Sequence, residues 1–374
     1  MNENSRKTIL INDSLYSSKN PLIIAELGTS HSADTAKARE MVSAAAENGA
    51  DCIKTQMVFA DEILHPNTGV VPLPSGNIRL YDQFKALEAP PEFYAEIKEY
   101  TESKGLLFLC TPFGLKSASI LKGIQPKVIK IASPELNFTG LLEEVSGWNL
   151  PVLLSTGVSK LGDIEKAVEI FKGTGDLRIC LLHCVTSYPA PETDYNLRLL
   201  PNLSAVFGVP AGVSDHSSDP CLVPALSVSM GACVIEKHFC LSKTDSGLDD
   251  PIALPPDAFS KMAKAVRVAA EEGPDKTIAR YSGERGASLI EQILGNGVKE
   301  LALSEKANYR CTNRSVHALR DIQKGEILKS GDYAVLRTEK VLRPGLEPYL
   351  EKELEGRAAQ NFIPSGEGIR FEDV

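Results

Sequence analysis

The stretch from Ile179 to Phe239, ICLLHCVTSYPAPETDYNLRLLPNLSAVFGVPAGVSDHSSDPCLVPALSVSMGACVIEKHF, decides the fold. It holds three short runs, ICLLHCV (Ile179 to Val185), AGVSD (Ala211 to Asp215) and CVIEKHF (Cys233 to Phe239), of the near-continuous apolar kind that strands buried on both faces require. Pro220 to Met230, between the last two, has helical spacing. The same alternation runs back toward the N-terminus through LIIAELG (Leu22 to Gly28), CIKTQ (Cys52 to Gln56), LLFLCTPF (Leu106 to Phe113), VIKIAS (Val128 to Ser133) and PVLLSTG (Pro151 to Gly157). Helical segments fall at Ala36 to Asn48, with Ala36, Met41, Ala44 and Ala45 on one stripe, at Ile164 to Phe171, and at Pro256 to Ala270. Strand then helix, repeated about eight times over about 250 residues, predicts an α/β chain forming a (β/α)8 TIM barrel. A doubly wound open sheet would normally show fewer strands and a glycine-rich first turn, and GTSHSAD after the first run has no G-x-G-x-x-G.

The chain of 374 residues is long enough for the barrel plus something small. The barrel is expected over residues 1–272, a linker with one short amphipathic helix over 273–312, and a small, mostly β unit over 313–374, with turns at QKG and SGEG. So small a unit has a thin core and is expected to dock on another surface. The segment from Met57 to about Arg79, with His65, Pro66, Asn67, Gly69, Pro72, Pro74 and Gly76, reads as a long lid or binding loop.

A composition 43% hydrophobic and 24% charged excludes global disorder, and a net charge of -9 argues against nucleic acid or anionic lipid as main partners. No apolar run approaches a membrane span, and MNENSRKT lacks the apolar stretch of a leader, so the expectation is a cytoplasmic protein. The cysteines fit this, because Cys52, Cys110, Cys180, Cys184, Cys233 and Cys240 lie in strand-type runs and read as reduced core residues. In CLLHC, alternation puts Cys180 and Cys184 on one face and His183 on the other, which argues against a zinc site.

A barrel of this kind places its active site at the C-terminal strand ends. Here those ends are polar: Glu26; Lys54 and Gln56; Thr111; Lys130, Ser133 and Glu135; Ser155 and Thr156; Thr186 and Tyr188; Ser214, Asp215 and His216; Glu236, Lys237 and His238. Lys54 shares a strand face with Gln56, and Glu236 with His238. Lys54 and Lys130 are candidates for binding phosphate or carboxylate, or alternatively pair structurally with Glu26 or Glu135; a Schiff base on Lys130 is also chemically sensible. His216 and His238, at the ends of adjacent strands, can share one divalent cation, or simply cap those strands.

Together the strings IIAELG, GADCIKTQ, TPF, KIASPE, PVLLSTG, LLHCVTSYPAP, SDHS, GACVIEKHF and NRSVHALRDIQKGEIL resemble the sialic acid synthases, in family order over nearly the whole chain. The resemblance implies metal-dependent condensation of phosphoenolpyruvate with an N-acylated hexosamine to a nonulosonic acid, with water adding at C2 and phosphate leaving by C–O cleavage. It implies a C-terminal antifreeze-like (SAF) domain and a domain-swapped homodimer. His216 and His238 become ligands of a divalent ion, often manganese, with magnesium, cobalt or zinc as alternatives. Lys54, Gln56, Thr111, Lys130, Ser133, Ser155, Thr156 and Ser214 would line the phosphoenolpyruvate pocket. Glu26, Tyr188 and Asp249 would face the sugar or the reacting centre, with Glu135 and Thr186 nearby. Arg314 would reach the neighbouring subunit and contact the sugar's N-acyl group. Departures from the family pattern fall at Ser30 and Ala33 in Ser30-His31-Ser32-Ala33-Asp34, at Leu248, and at Thr186 against the asparagine of some relatives, all on the expected sugar side. N-acetylmannosamine and a 6-deoxy-2,4-diacetamido hexose are the rival acceptors. Two other readings compete: a Schiff-base aldolase or lyase using Lys130, and a catalytically silent homologue serving as a binding subunit.

Overall fold

The computed structural model describes residues 7–73, 76–173, 177–245 and 247–374. Met1 to Arg6 and Pro74, on which part of the leader and loop expectations rest, lie outside the described residues. Eight parallel strands close a barrel: β1 (Leu22–Gly28), β2 (Cys52–Met57), β3 (Leu107–Pro112), β4 (Ile129–Ile131), β5 (Val152–Ser155), β6 (Ile179–Cys184), β7 (Ala211–Asp215) and β8 (Val234–His238), each paired with its sequence neighbours and β8 with β1. The last pairing sets His238 opposite Glu26, which brings the two ends of the barrel sequence together at one rim.

The strands are buried on both faces, and the two faces bury different partners. Leu22, Ile24, Cys52, Leu109, Val128, Leu153, Cys180, Leu182 and Val234 fill the barrel interior. Ile9 and Ile11 of an N-terminal hairpin, Ile9–Ile11 with Ser14–Tyr16, join that cluster, an element the sequence reading did not anticipate. Each fully buried aliphatic chain contributes roughly 1.5–3 kcal/mol.

Outward-facing residues such as Ile23, Ala25, Ile53, Ile131 and Leu154 pack under the helices. Helix α1 (Thr35–Glu47) starts where the Asp34 carboxylate accepts the Lys37 amide at 3.0 Å. Its buried stripe is Ala38, Met41, Val42 and Ala45, rotated from the expected Ala36, Met41, Ala44 and Ala45. The long helix α2 (Pro256–Glu272) buries Phe259, Met262, Ala263, Val266 and Ala269, the 3.6-residue period of a core-facing face.

The long connection after β2 is more ordered than a plain loop. It carries a short helix at Ala60–Ile63, a 3₁₀ turn at Pro66–Thr68 and a hairpin of Val71–Leu73 with Gly76–Ile78. The expected linker likewise contains two helices, Pro274–Arg285 and Ala287–Leu294, rather than one. Beyond it, β9 (Arg314–Ala318) pairs antiparallel with β10 (Tyr333–Arg337). The buried residues of this C-terminal unit, including Val316, Ile322, Leu328, Val335 and Ile363, belong to the same apolar cluster as the outer layer of the barrel. That continuity supplies the surface that its thin core needs.

All eight cysteines carry free thiols, six of them buried. No helix among the described residues is long and apolar enough to cross a membrane.

Candidate active site

Interior positions change from apolar to polar along each strand, so the mouth of the barrel is built by period two. Leu22 and Ile24 lead to Glu26, Cys52 to Lys54 and Gln56, Leu109 to Thr111, Val128 to Lys130, Leu153 to Ser155, Gly212 to Ser214, and Val234 to Glu236 and His238. The Lys54 ammonium contacts Glu26 Oε2 and lies 3.0 Å from Glu236 Oε1. Ser214 Oγ donates to that same Glu236 oxygen at 3.0 Å, and Lys130 Nζ lies 3.5 Å from it. Glu26 Oε1 accepts from the Gly28 amide at 2.8 Å and from Gln56 Nε2 at 3.2 Å. Gly28 has φ of +53°, and a Cβ there would stand 3.3 Å from Asp249 Oδ2, so a side chain at this position is disfavoured by both backbone and space.

Electrostatics follow from burial. Desolvation works against the Glu236 charge, yet Lys130 and then Lys54 outweigh it and hold the carboxyl at about 2. Burial lowers Lys54 to about 8, with Glu236 opposing and Lys130 reinforcing the shift. Two lysines face two carboxylates, so the structure assigns Glu26 to Lys54 as a counter-ion and leaves the layer without excess positive charge. Lys54 is spent on two carboxylates, whereas Lys130 makes a single long contact among the described residues and keeps donors open. Thr111 Oγ1, Ser155 Oγ and Thr186 Oγ1 are buried with no hydrogen-bond partner among the described residues. An unpaired buried hydroxyl costs about 1–3 kcal/mol, a cost that ligand oxygens would remove.

A second group surrounds this layer. Tyr188 stacks on His216 with ring centroids 4.3 Å apart, and His216 and His238 are 5.5 Å apart. His216 Nδ1 lies 2.8 Å from the Val185 carbonyl, which only accepts, so Nδ1 carries a proton, and Nε2 faces the Tyr188 hydroxyl at 3.4 Å. Burial, reinforced by His216, pushes His238 well below the usual imidazole range and keeps it neutral. His216 differs: burial works against its charge, yet the neighbouring Cys184 outweighs it and raises the ring above the usual imidazole range. Imidazole pairs suit a borderline divalent ion once both rings are deprotonated. Asp249 Oδ2 is 3.7 Å from His238 Nδ1. Among the described residues no group of three or more His, Cys, Asp or Glu side chains is placed to hold a metal, in CLLHC or elsewhere. His183 instead faces outward to the Tyr195 carbonyl at 2.5 Å.

Three expected site residues are engaged by other groups of the chain. Thr156 donates its hydroxyl to the Leu182 carbonyl at 3.2 Å. Glu135 is fully buried, and its Oε1 is taken by Arg314 and Arg337. Arg314 makes these contacts here within one chain and reaches the carbonyls of Glu62 and Phe113 as well. Ser133 stays close to the mouth, its Oγ accepting the Gly157 amide at 3.0 Å.

Four participants have no role assigned from the sequence. Glu236 is the hub of the ion cluster, and its period-two relation to His238 was the available signal. Glu305, inside the expected linker, accepts the Val158 and Thr186 amides at 3.0 and 2.9 Å and so ties the loops after β5 and β6 together. Lys299 donates to the Thr156 carbonyl at 3.1 Å, and Arg337 bonds Glu135 at 2.8 Å. None of these last three had a local pattern to reveal it. The Ser30 hydroxyl pairs with Asp250 Oδ1, while Leu248 packs on the apolar cluster that contains Phe113.

A closed barrel that gathers paired lysines, carboxylates and two imidazoles at its C-terminal strand ends is the arrangement of a (β/α)8-barrel enzyme. Residues 41–276 match the NeuB family and residues 313–374 the SAF domain, and the chain belongs to the NeuB family. It is 37% identical to an uncharacterized protein of Methanocaldococcus jannaschii over 306 residues, covering 82% of this chain and 81% of that one. It is 30% identical to the N,N'-diacetyllegionaminic acid synthase of Campylobacter jejuni over 358 residues, covering 94% and 99%. The crystal structure of the spore coat polysaccharide biosynthesis protein SpsE from Bacillus subtilis superposes with a TM-score of 0.81 at 31% identity, covering 98% and 99%.

Proposed function

We propose that the chain condenses phosphoenolpyruvate with an N-acylated hexosamine, N-acetylmannosamine or a 6-deoxy-2,4-diacetamido relative, to give a nonulosonic acid and phosphate. The observation that carries this reading is the buried layer in which Lys130 keeps open donors beside the unpaired hydroxyls of Thr111 and Ser155. Such a layer fits the phosphate and carboxylate oxygens of a small anion. The family membership and the legionaminic acid synthase relative support the same reaction class.

In this reading Lys130 and Lys54 bind the anion, with Glu236 and Glu26 as their buried carboxylate partners. Tyr188, which is 38% exposed, and Asp249 face the acceptor from the rim. C3 of phosphoenolpyruvate bonds to the aldehyde carbon, whose oxygen takes a proton. Water adds at C2, and the C2–O bond to phosphate breaks with its electron pair leaving on phosphate. His216 and His238 would hold a divalent ion, which supplies Lewis-acid polarisation of the aldehyde when bound.

The swapped homodimer would make the Arg314–Glu135 contact between chains instead of within one, exchanging identical surfaces. In heavy-oxygen water the released phosphate should carry no label, because the phosphate keeps its bridging oxygen. Labelled phosphate would mean P–O hydrolysis and would contradict the proposed chemistry.

A further inference from the structure

The turn after β5 holds a backbone conformation that its own residues do not favour. Val158 has φ of +42°, and its side chain is fully buried. A β-branched residue in the left-handed region is strained by about 1–3 kcal/mol and persists only where its surroundings fix it. The fixing groups come from outside the barrel, from residues 299–313. Glu305 Oε2 accepts the Val158 amide at 3.0 Å, and Asn313 Nδ2 donates to the Val158 carbonyl at 3.2 Å. Lys299 Nζ donates to the Thr156 carbonyl at 3.1 Å.

The same segment grips the loop after β6. Glu305 Oε2 also accepts the Thr186 amide at 2.9 Å, while Asn308 Nδ2 donates to the Thr186 carbonyl at 2.9 Å. Glu305 is 1% exposed, and its other oxygen accepts the Ala302 amide at 3.2 Å. The two loops meet with no room between them, since a Cβ at Gly157 would collide with the Thr186 hydroxyl. Ser155 and Thr186, on either side of this contact, carry buried hydroxyls with no partner among the described residues. One carboxylate oxygen therefore fixes the spacing of the two chain segments that present them.

We propose that Glu305 is a positioning residue for the phosphoenolpyruvate pocket: by holding Val158 in its left-handed conformation against Thr186, it fixes where the Ser155 hydroxyl meets the anion. This rests on the synthase reading above. These Glu305 bonds run to uncharged amides, so the role needs an acceptor at that reach and not a charge.

Calorimetry of phosphoenolpyruvate binding with manganese present, with phosphate release and melting temperature alongside, tests this. E305Q keeps the reach and loses the charge, E305D keeps the charge and falls one methylene short, and E305A loses both. Kd and KM for phosphoenolpyruvate should rise about tenfold in E305D and E305A, the scale of losing a hydrogen bond to a charged group, and less than about threefold in E305Q. E305D against E305Q carries the comparison if E305A does not fold. E305Q as weak as E305A, E305D as tight as the wild type, or affinity unchanged in every variant would overturn the role of Glu305, whatever the melting temperature does. Wild-type protein that binds no phosphoenolpyruvate would instead remove the synthase reading itself.

Discussion

Replacing Lys130 with methionine should lower kcat/KM for phosphoenolpyruvate by about a thousandfold, the scale of losing one preorganised charged donor from a dry site. Lys130 is the cation of the layer with donors to spare, since its one contact is 3.5 Å from Glu236. Glu236 would still be held by Lys54 at 3.0 Å and by the Ser214 hydroxyl, so the variant should fold. Steady-state kinetics with phosphoenolpyruvate varied at saturating sugar measure this directly. A change below about tenfold would show that the anion is bound elsewhere.

His238→Ala should remove metal-dependent turnover, a loss of several kcal/mol or about a thousandfold in rate, and should leave the barrel's circular dichroism intact. The ring is kept neutral by burial and faces His216 across 5.5 Å, so its loss takes away one of two candidate ligands without unpairing a buried charge. Titration of manganese by calorimetry should show weaker binding in parallel. Turnover that stays at the wild-type rate, with unchanged metal affinity, would reject His238 as a ligand.

Most of the barrel was legible because buried parallel strands must be apolar on both faces, and a polar residue at a strand end then stands out. Glu26, Lys54, Lys130 and Ser214 stand out in this way, and their side chains meet around Lys54 and Glu236. Pairing within the layer was not legible, because alternation says which residues face inward but not which carboxylate takes which lysine. Glu236 was visible on the right face and still went unassigned for that reason. The Thr156 hydroxyl is already engaged by the Leu182 carbonyl, a contact that alternation does not report. The N-terminal hairpin, Glu305 and Arg337 act across distances along the chain that no local pattern reports. Arg314 carried a family resemblance, but only a count of its donors shows that they are all engaged.

A net charge of -9 sets an unfavourable overall field for an anion. The local balance is what matters: two lysines matched by two carboxylates, with unpaired hydroxyls added. The most direct measurement of the central claim is inorganic phosphate released from phosphoenolpyruvate against a panel of hexosamines, with and without a divalent metal. The account predicts release that requires both an N-acylated hexosamine and the metal, with one nonulosonic acid formed per phosphate. Release without any sugar, or none with every sugar on the panel, would contradict it.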